Sequence, residues 1–294
     1  NKLDEIEHNL LANNDIEVYP YITLPTEEVI DAKMVELCKG KPSNAKHYTD
    51  KEGKRYIRAT KKRPNTKDIR KKFHVLDNDL EKIYHCTRVA KGEEEGIYNI
   101  PRVAFDKAGG RLYTTFNMIP SWYRMLIKID GKSVINNDYN AMHPTITLNM
   151  YLDKVPNEEK LLMIDALDSG DLHTWIGNGI GMSRSEVKKY HLSMFNQSLH
   201  QLKTNKLWKH YKSLFPTMCK LITEDKELHG YKNTSKVLFE AEVNIMNTVL
   251  TKVRDNGLKA LYIFDAFVTT ESIVDIMNES ANELGYYKLT SSCD

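Results

Sequence analysis

Two apolar stretches of this chain each carry one aspartate where an apolar residue would complete the pattern. They are VINNDYNAMHP at 134–144, with Asp138, and KALYIFDAFVTT at 259–270, with Asp265. Short apolar runs bounded by turn residues read as buried strands. A charge in such a strand costs free energy unless something pairs with it. Taken singly, each aspartate is most simply a turn or cap residue. Taken together, they match what phosphoryl transfer needs: carboxylates from neighbouring strands that hold two divalent ions about 3.5–4 Å apart. Oxygen ligands and exchangeable waters suit Mg²⁺, with Mn²⁺ as a substitute.

The remaining pattern mixes strands and helices without strict alternation. LPTEEVIDAKMVELCKG reads as a helix capped by Thr26, and DNDLEKIYHCTRVAKG as another. GRLYTTFNM (110–118) and KSVINND (132–138) read as strands, the second entered through the Asp130-Gly131 turn. PTITLNMYLD reads as a helix with Pro144 at its first position, where a missing N–H does no harm. SRSEVKKYHLSMFNQSLHQLK, SKVLFEAEVNIMNTVLTKVRDNG and ESIVDIMNESANELG read as amphipathic helices. The first of these has Ser183 or Ser185 as its cap. KALYIFDAFVTT reads as one strand with Asp265 in its middle. The expectation is an α+β fold with a mainly antiparallel sheet. A mostly helical, basic N-terminal region over 1–104 precedes a second domain over 105–294.

Charge is unevenly spread. Residues 51–72 hold eleven Lys/Arg against two acids, a local +9 in a chain of net +2, which leaves −7 elsewhere. Such a run, with Lys61, Lys62 and Arg63 at its centre, fits contact with a phosphate backbone. The alternative is a solvated surface or linker. No apolar run approaches the roughly 18 residues of a membrane span, and the start carries no signal-peptide pattern. The four cysteines are scattered without C-x-x-C spacing. Free thiols in a reducing compartment are the simplest reading, so the expected location is the cytoplasm, a host's if the chain is phage- or plasmid-encoded.

Between the two aspartates, Arg184 and Lys188 stand four apart on one predicted helix. That spacing puts both cations on one face. An Arg fork and a Lys point charge together can hold a triphosphate, although a solvated face would look the same.

The order of these pieces resembles the palm and fingers of family A DNA polymerases and of the related single-subunit phage-type RNA polymerases. GGRLYTTFNMIPSWYR is similar to the segment ahead of motif A, INNDYNAMHP to motif A, and SGDLHTWIG to the Asp-x-His-Thr before the fingers helix. SRSEVKKYHLSMFNQ is similar to the nucleotide-binding fingers helix, LFEAEVNIMNTV to the helix before motif C, and LYIFDAFV to motif C. The resemblance spans roughly 180 residues in colinear order and extends to short phage polymerase-like proteins with an Asp-x-x-x-x-His-Pro motif A.

The resemblance implies a polymerase palm with an antiparallel sheet and helical fingers. It implies Asp138 and Asp265 as ligands of two Mg²⁺ ions, and Lys188 as a further catalytic residue. Arg184, Lys188, His143, Tyr139 and Asn196 would face the nucleotide, and Arg111 and Arg124 the nucleic acid. The implied activity is template-directed nucleotidyl transfer by a DNA polymerase without proofreading. It would use nucleoside triphosphates and a DNA template-primer or RNA, with a replication protein as a further partner and no membrane. An RNA polymerase or primer-synthesising enzyme is the first alternative, and an inactive nucleic-acid-binding replication factor the second.

Three departures stand out. Motif C is Phe264-Asp265-Ala266 where the family has His-Asp-Glu, so a helping carboxylate must come from elsewhere, with Glu240 and Glu242 as candidates. Leu192 and Asn196 replace the aromatic and tyrosine of the fingers helix, and Phe195 is the nearest ring that could stack on a base. His143 stands five after Asp138, where DNA enzymes carry the glutamate that excludes ribose.

Overall fold

The computed structural model of the chain describes residues 22–38, 46–49, 55–58, 102–104, 109–113 and 115–294. Lys61, Lys62, Arg63, most of the basic run and the helix expected over 77–92 lie outside these residues. The chain divides into two compact units. The smaller is built from 10–101 and 114–134, and the larger includes 102–113 and 135–294. The expected boundary at 104/105 therefore differs from the observed division, which assigns 114–134 to the smaller unit.

In the smaller unit, helix Glu27–Cys38 begins as expected after Thr26, whose carbonyl accepts the Ile30 N–H at 3.0 Å. Strand Lys46–Thr49 pairs antiparallel with Arg55–Arg58. Lys128–Ile129 lies between Ile22–Thr23 and Lys132–Ser133 in a three-stranded sheet. The Asp130-Gly131 turn forms as read, with φ of 50° and 74°. Two positive φ values are what a two-residue hairpin loop with the sheet's own twist demands. Phe116, Ile119, Tyr123 and Ile127 are buried.

GRLYTTFNM is not one strand. The strand stops at Tyr113, and Thr115–Met118 forms a single helical turn ahead of Pro120. The KSVINND strand is likewise divided, at Val134, into two strands that belong to different units.

The larger unit opens with strands β1 (Arg102–Ala104) and β2 (Arg111–Tyr113), paired antiparallel. Strand β3 (Ile135–Tyr139) leads into helix α1 (Met142–Tyr151). Helices α2 (Asn157–Asp168), α3 (Leu172–Ile180) and α4 (Arg184–Met194) follow. Then come α5 (Leu199–Leu202), α6 (Lys206–Leu214), α7 (Pro216–His229) and the long α8 (Asn233–Asp255). The chain closes with β4 (Leu261–Ile263), β5 (Ala266–Thr269), helix α9 (Val274–Glu283) and β6 (Ser291–Cys293).

The central sheet has the order β6-β3-β5-β4 and every pair is antiparallel, which agrees with the α+β expectation. Asn137, at the middle of β3, is fully buried. Its amide donates to Thr269 Oγ1 at 2.8 Å and its carbonyl oxygen accepts the Ile273 N–H at 3.0 Å. A buried amide with both ends satisfied fixes the register of β3 against β5 and seats the start of α9. Helix α8 buries Leu238, Glu242, Ile245, Met246, Val249 and Val253, the three-and-four spacing of a core-facing stripe. Among the described residues no helix is long and apolar enough to cross a membrane.

Two helix boundaries differ from expectation. Pro144 is the third residue of α1, not the first, because Ala141 adopts a left-handed cap conformation one residue ahead of Met142. It still falls in the first turn, where N–H groups have no intrahelical partner. The helix read over 183–203 breaks after Met194 and restarts at Leu199, where Ser198 and Gln201 form a new capping box.

Gly109 sets how closely the β2 segment approaches α8. Its φ is +57°, and a Cβ there would stand 2.7 Å from Lys236 O and Glu240 N. Gly109→Ala adds both a left-handed strain and a backbone collision. The variant is expected to lose about 2 kcal/mol or more of stability, read from urea unfolding at 25 °C.

Candidate two-carboxylate site

Asp138 lies near the end of β3, opposite Ala266 on β5 and Ser292 on β6. Asp265 is not in the middle of a strand. Ile263 pairs with Ala266, so Phe264 and Asp265 form a two-residue turn between β4 and β5. Phe264 has φ +56°, a conformation that such turns usually give to Gly or Asn. Its ring is held on two sides, by the Arg111 guanidinium 4.6 Å from its centroid and by the edge of Tyr113 at 5.4 Å. The turn places Asp265 beside Asp138, since the Tyr139 N–H donates to the Asp265 carbonyl at 3.3 Å.

Behind the turn lies a buried charged network. Glu242 on α8 is wholly buried and accepts two bonds from Arg111, Nε to Oε1 at 2.6 Å and a second to Oε2 at 2.5 Å. His143 Nε2 meets Glu242 Oε2 at 2.7 Å. The Arg111 guanidinium is stacked between Phe239, at 4.2 Å, and Phe264. Burial alone would push the Glu242 carboxyl up; the bonds from His143 and Arg111 outweigh it and hold the group below its ordinary value. Arg111 is raised in the same exchange, with burial opposing the bonds to Glu242. Removing one member of a buried pair leaves the other uncompensated. Glu242→Ala is therefore expected to cost about 3–5 kcal/mol of stability, measured by chemical unfolding.

Asp138, Asp265, His143, Arg184, Lys188 and His173 border one cleft of about 370 Å³. Helix α4 brings the two cations there. Ser183 caps it through Glu186 in a reciprocal capping box, which settles the choice between Ser183 and Ser185. Arg184 Nε donates to Asp171 Oδ2 at 2.8 Å, and Asp171 also caps α3 through the Thr174 N–H. Lys188 is exposed and close enough to Asp138 to favour its charged form.

Burial first, then repulsion from Asp265, nonetheless pushes the Asp138 carboxyl up to about 7. Asp265 is raised as well, by burial and then by the negative charge of Glu242. Among the described residues, Asp138 Oδ1 is buried with no hydrogen-bond partner.

The folded protein thus keeps a proton on Asp138 to about pH 7, whereas an unfolded aspartate loses it near pH 3.9. Between these values the folded state binds more protons, so stability falls as pH rises through that window. Asp138→Asn removes the loss. In a metal-free buffer the variant is expected to melt above the parent at pH 8, with the gap closing towards pH 4, as read by calorimetry.

Beside the cleft, His173 and His191 share a bond between their Nδ1 atoms at 2.8 Å, and His191 Nε2 meets the Tyr211 hydroxyl at 2.7 Å. Both histidines are buried, and burial lowers both, His173 to about 4. They are neutral at pH 7, and Nε2 is the nitrogen of His173 left to meet a ligand.

Tyr139 borders the cleft but its side chain leaves it, and several other expected site residues lie elsewhere. Tyr139 alternates to the opposite face of β3 from Asp138; its ring is buried and its hydroxyl donates to Met277 O at 2.6 Å. Its side chain is therefore not placed for nucleotide contact. Asn196 is exposed beyond the end of α4 and does not border the cleft. Phe195 is buried, stacked on His191, with its carbonyl accepting Lys226 Nζ at 2.8 Å. It packs the core and is no base platform. Arg111 is committed to Glu242, and Arg124, in the smaller unit, donates to the carbonyls of Phe116 and Ile119. Of the two candidate helper carboxylates, Glu240 is on the surface near Lys236 and Glu242 is occupied by Arg111 and His143.

Sequence reasoning missed β6, which brings Ser292 and Asp294 to the cleft. The stretch SSCD lacks the alternating apolar residues that would mark a strand. In comparisons with known proteins, no family model matches the chain and no curated protein matches it.

Proposed function

We propose that this chain is a template-directed nucleotidyltransferase of the family A polymerase type, acting as a DNA polymerase without proofreading. The observation that carries the reading is the meeting of Asp138 and Asp265 in one cleft with Arg184 and Lys188. The same cleft holds an acceptor oxygen, Asp138 Oδ1, buried without a partner. Two carboxylates raised by burial and repulsion are a site that a divalent cation relieves. An all-oxygen donor set suits Mg²⁺. Among the described residues no three His, Cys, Asp or Glu side chains form a ready-made cage. That is compatible with Mg²⁺, which usually takes one or two carboxylates together with substrate phosphates and water.

Asp138 and Asp265 would hold the ions, which supply an activated attacking oxygen and stabilisation of the leaving one. The residues of the chain then divide the remaining work. Lys188, nearest Asp138, offsets negative charge that gathers on the phosphates, and Arg184 forks onto their oxygens once it leaves Asp171. Asp171 keeps Arg184 oriented along the cleft while no anion is there. His143 borders the same cleft beside motif A, anchored through Glu242. In this reading it would be the side chain that senses the sugar.

Ribonucleotide polymerisation or primer synthesis on the same scaffold is the second reading, favoured by the similarity of GRLYTTFN to the RNA-polymerase version of that segment. The test is extension of a labelled primer on a DNA template with Mg²⁺, run with deoxynucleotides and with ribonucleotides. The parent should extend, and Asp138→Asn and Asp265→Asn should each lose at least about a hundredfold in rate. Variants that extend like the parent would overturn the reading. Tight template binding without extension by any of the three would instead indicate a nucleic-acid-binding factor.

A further inference from the structure

The departure at motif C leaves Asp138 short of acidic neighbours on one side. Its partner on β5 is Ala266, and its partner on β6 is Ser292, both small. The next residue on the same face of β6 is Asp294. Its backbone is tied to β3 by two bonds with Asn136, N–H to O at 2.9 Å and O to N–H at 3.0 Å. Asp294 is therefore opposite Asn136 and diagonal to Asp138 on the cleft-facing side of the sheet. Diagonal neighbours of an antiparallel pair lie about 7–8 Å apart at Cα, within reach of each other's polar groups. Asp294 is exposed and borders the cleft together with Asp138 and Asp265. Glu240 does not border the cleft, and Glu242 is held by Arg111 and His143.

We infer that Asp294 is the supporting carboxylate of the divalent-cation site at Asp138, delivered by the edge strand β6 in place of the acid that Ala266 does not provide. The inference rests on the two-carboxylate reading of the cleft. No ready-made three-carboxylate cage is present among the described residues. Asp294 therefore acts through the cation's remaining waters, orienting them and adding negative charge. Mg²⁺ and Mn²⁺ keep several waters in such sites, and outer partners that hold them are worth about 10–100-fold in affinity. Ser292 Oγ, 3.3 Å from Asn140 Oδ1, keeps the β6 side of the cleft polar.

The experiment is Mn²⁺ titration of the metal-free full chain, following free Mn²⁺ by electron paramagnetic resonance. The parent is compared with Asp138→Asn, Asp294→Asn and Glu240→Gln, each checked for an unchanged far-ultraviolet circular dichroism spectrum. The expected result is saturable binding by the parent, lost in Asp138→Asn, weakened about 10-fold in Asp294→Asn and unchanged in Glu240→Gln. Parent-like affinity in Asp294→Asn, with binding still lost in Asp138→Asn, overturns the role of Asp294 and leaves the two-carboxylate reading standing. Equal weakening in Glu240→Gln also overturns it, since general surface charge would then explain the effect. No saturable binding by the parent, or none lost in Asp138→Asn, overturns the cation reading and the inference together.

Discussion

Glu242 is a carboxylate with no exposed surface, and a charge so placed is tolerated only where partners replace water. Here Arg111 and His143 do so from two different parts of the chain. The consequence reaches beyond the ion pair. The same guanidinium that satisfies Glu242 lies on Phe264, the residue with the left-handed φ in the turn that carries Asp265. The same carboxylate holds His143 in the first turn of α1, immediately after the strand that carries Asp138. One buried anion thereby ties the two aspartate-bearing segments to helix α8. The close approach of Gly109 to the α8 backbone is what lets β2 bring Arg111 there.

The central sheet supplies the other half of the geometry. Asn137 locks the register of β3 against β5, and that register puts Ala266 opposite Asp138 and Asp265 one place beyond. A slip of one residue would turn Asp138 into the core and Tyr139 into the cleft. The buried amide, with both its ends satisfied, makes such a slip costly. The acidic pair is thus held by neutral hydrogen bonding on one side and by an ion network on the other.

Asp138, Asp265, Arg184 and Lys188 were legible in the sequence because each stands out locally: a lone acid in an apolar run, or two cations one helical turn apart. The antiparallel sheet and most of the long helices followed from periodicity. The turn at Phe264-Asp265 was hidden because a phenylalanine occupies a position where Gly or Asn would signal it; its ring packs against Arg111 and Tyr113. Strand β6 was hidden because Ser291, Ser292, Cys293 and Asp294 owe their pairing to β3, not to their own propensity. The parity of Tyr139 was readable from the two-residue period of a strand, since neighbours point to opposite faces. Glu242 stood out in the sequence only as a candidate helper carboxylate, and the fold reveals instead that it is buried and held by Arg111 and His143.

The acidic pair is the least comfortable part of the larger unit. Burial raises both aspartates, repulsion from Asp265 adds to it at Asp138 and repulsion from Glu242 adds to it at Asp265, while Lys188 stands exposed close enough to favour the charged form of Asp138. Arg184, which could also help, is turned to Asp171. A protein selected only for stability would replace one acid with a neutral residue or pair it with a buried cation. This chain does the opposite. It uses the part-buried Arg111 on Glu242, and leaves Asp138 and Asp265 facing a cleft with two exposed cations at its edge. Carboxyl groups raised by burial at the edge of a cleft, held in place by a satisfied network behind them, are the arrangement expected where binding supplies counter-charge.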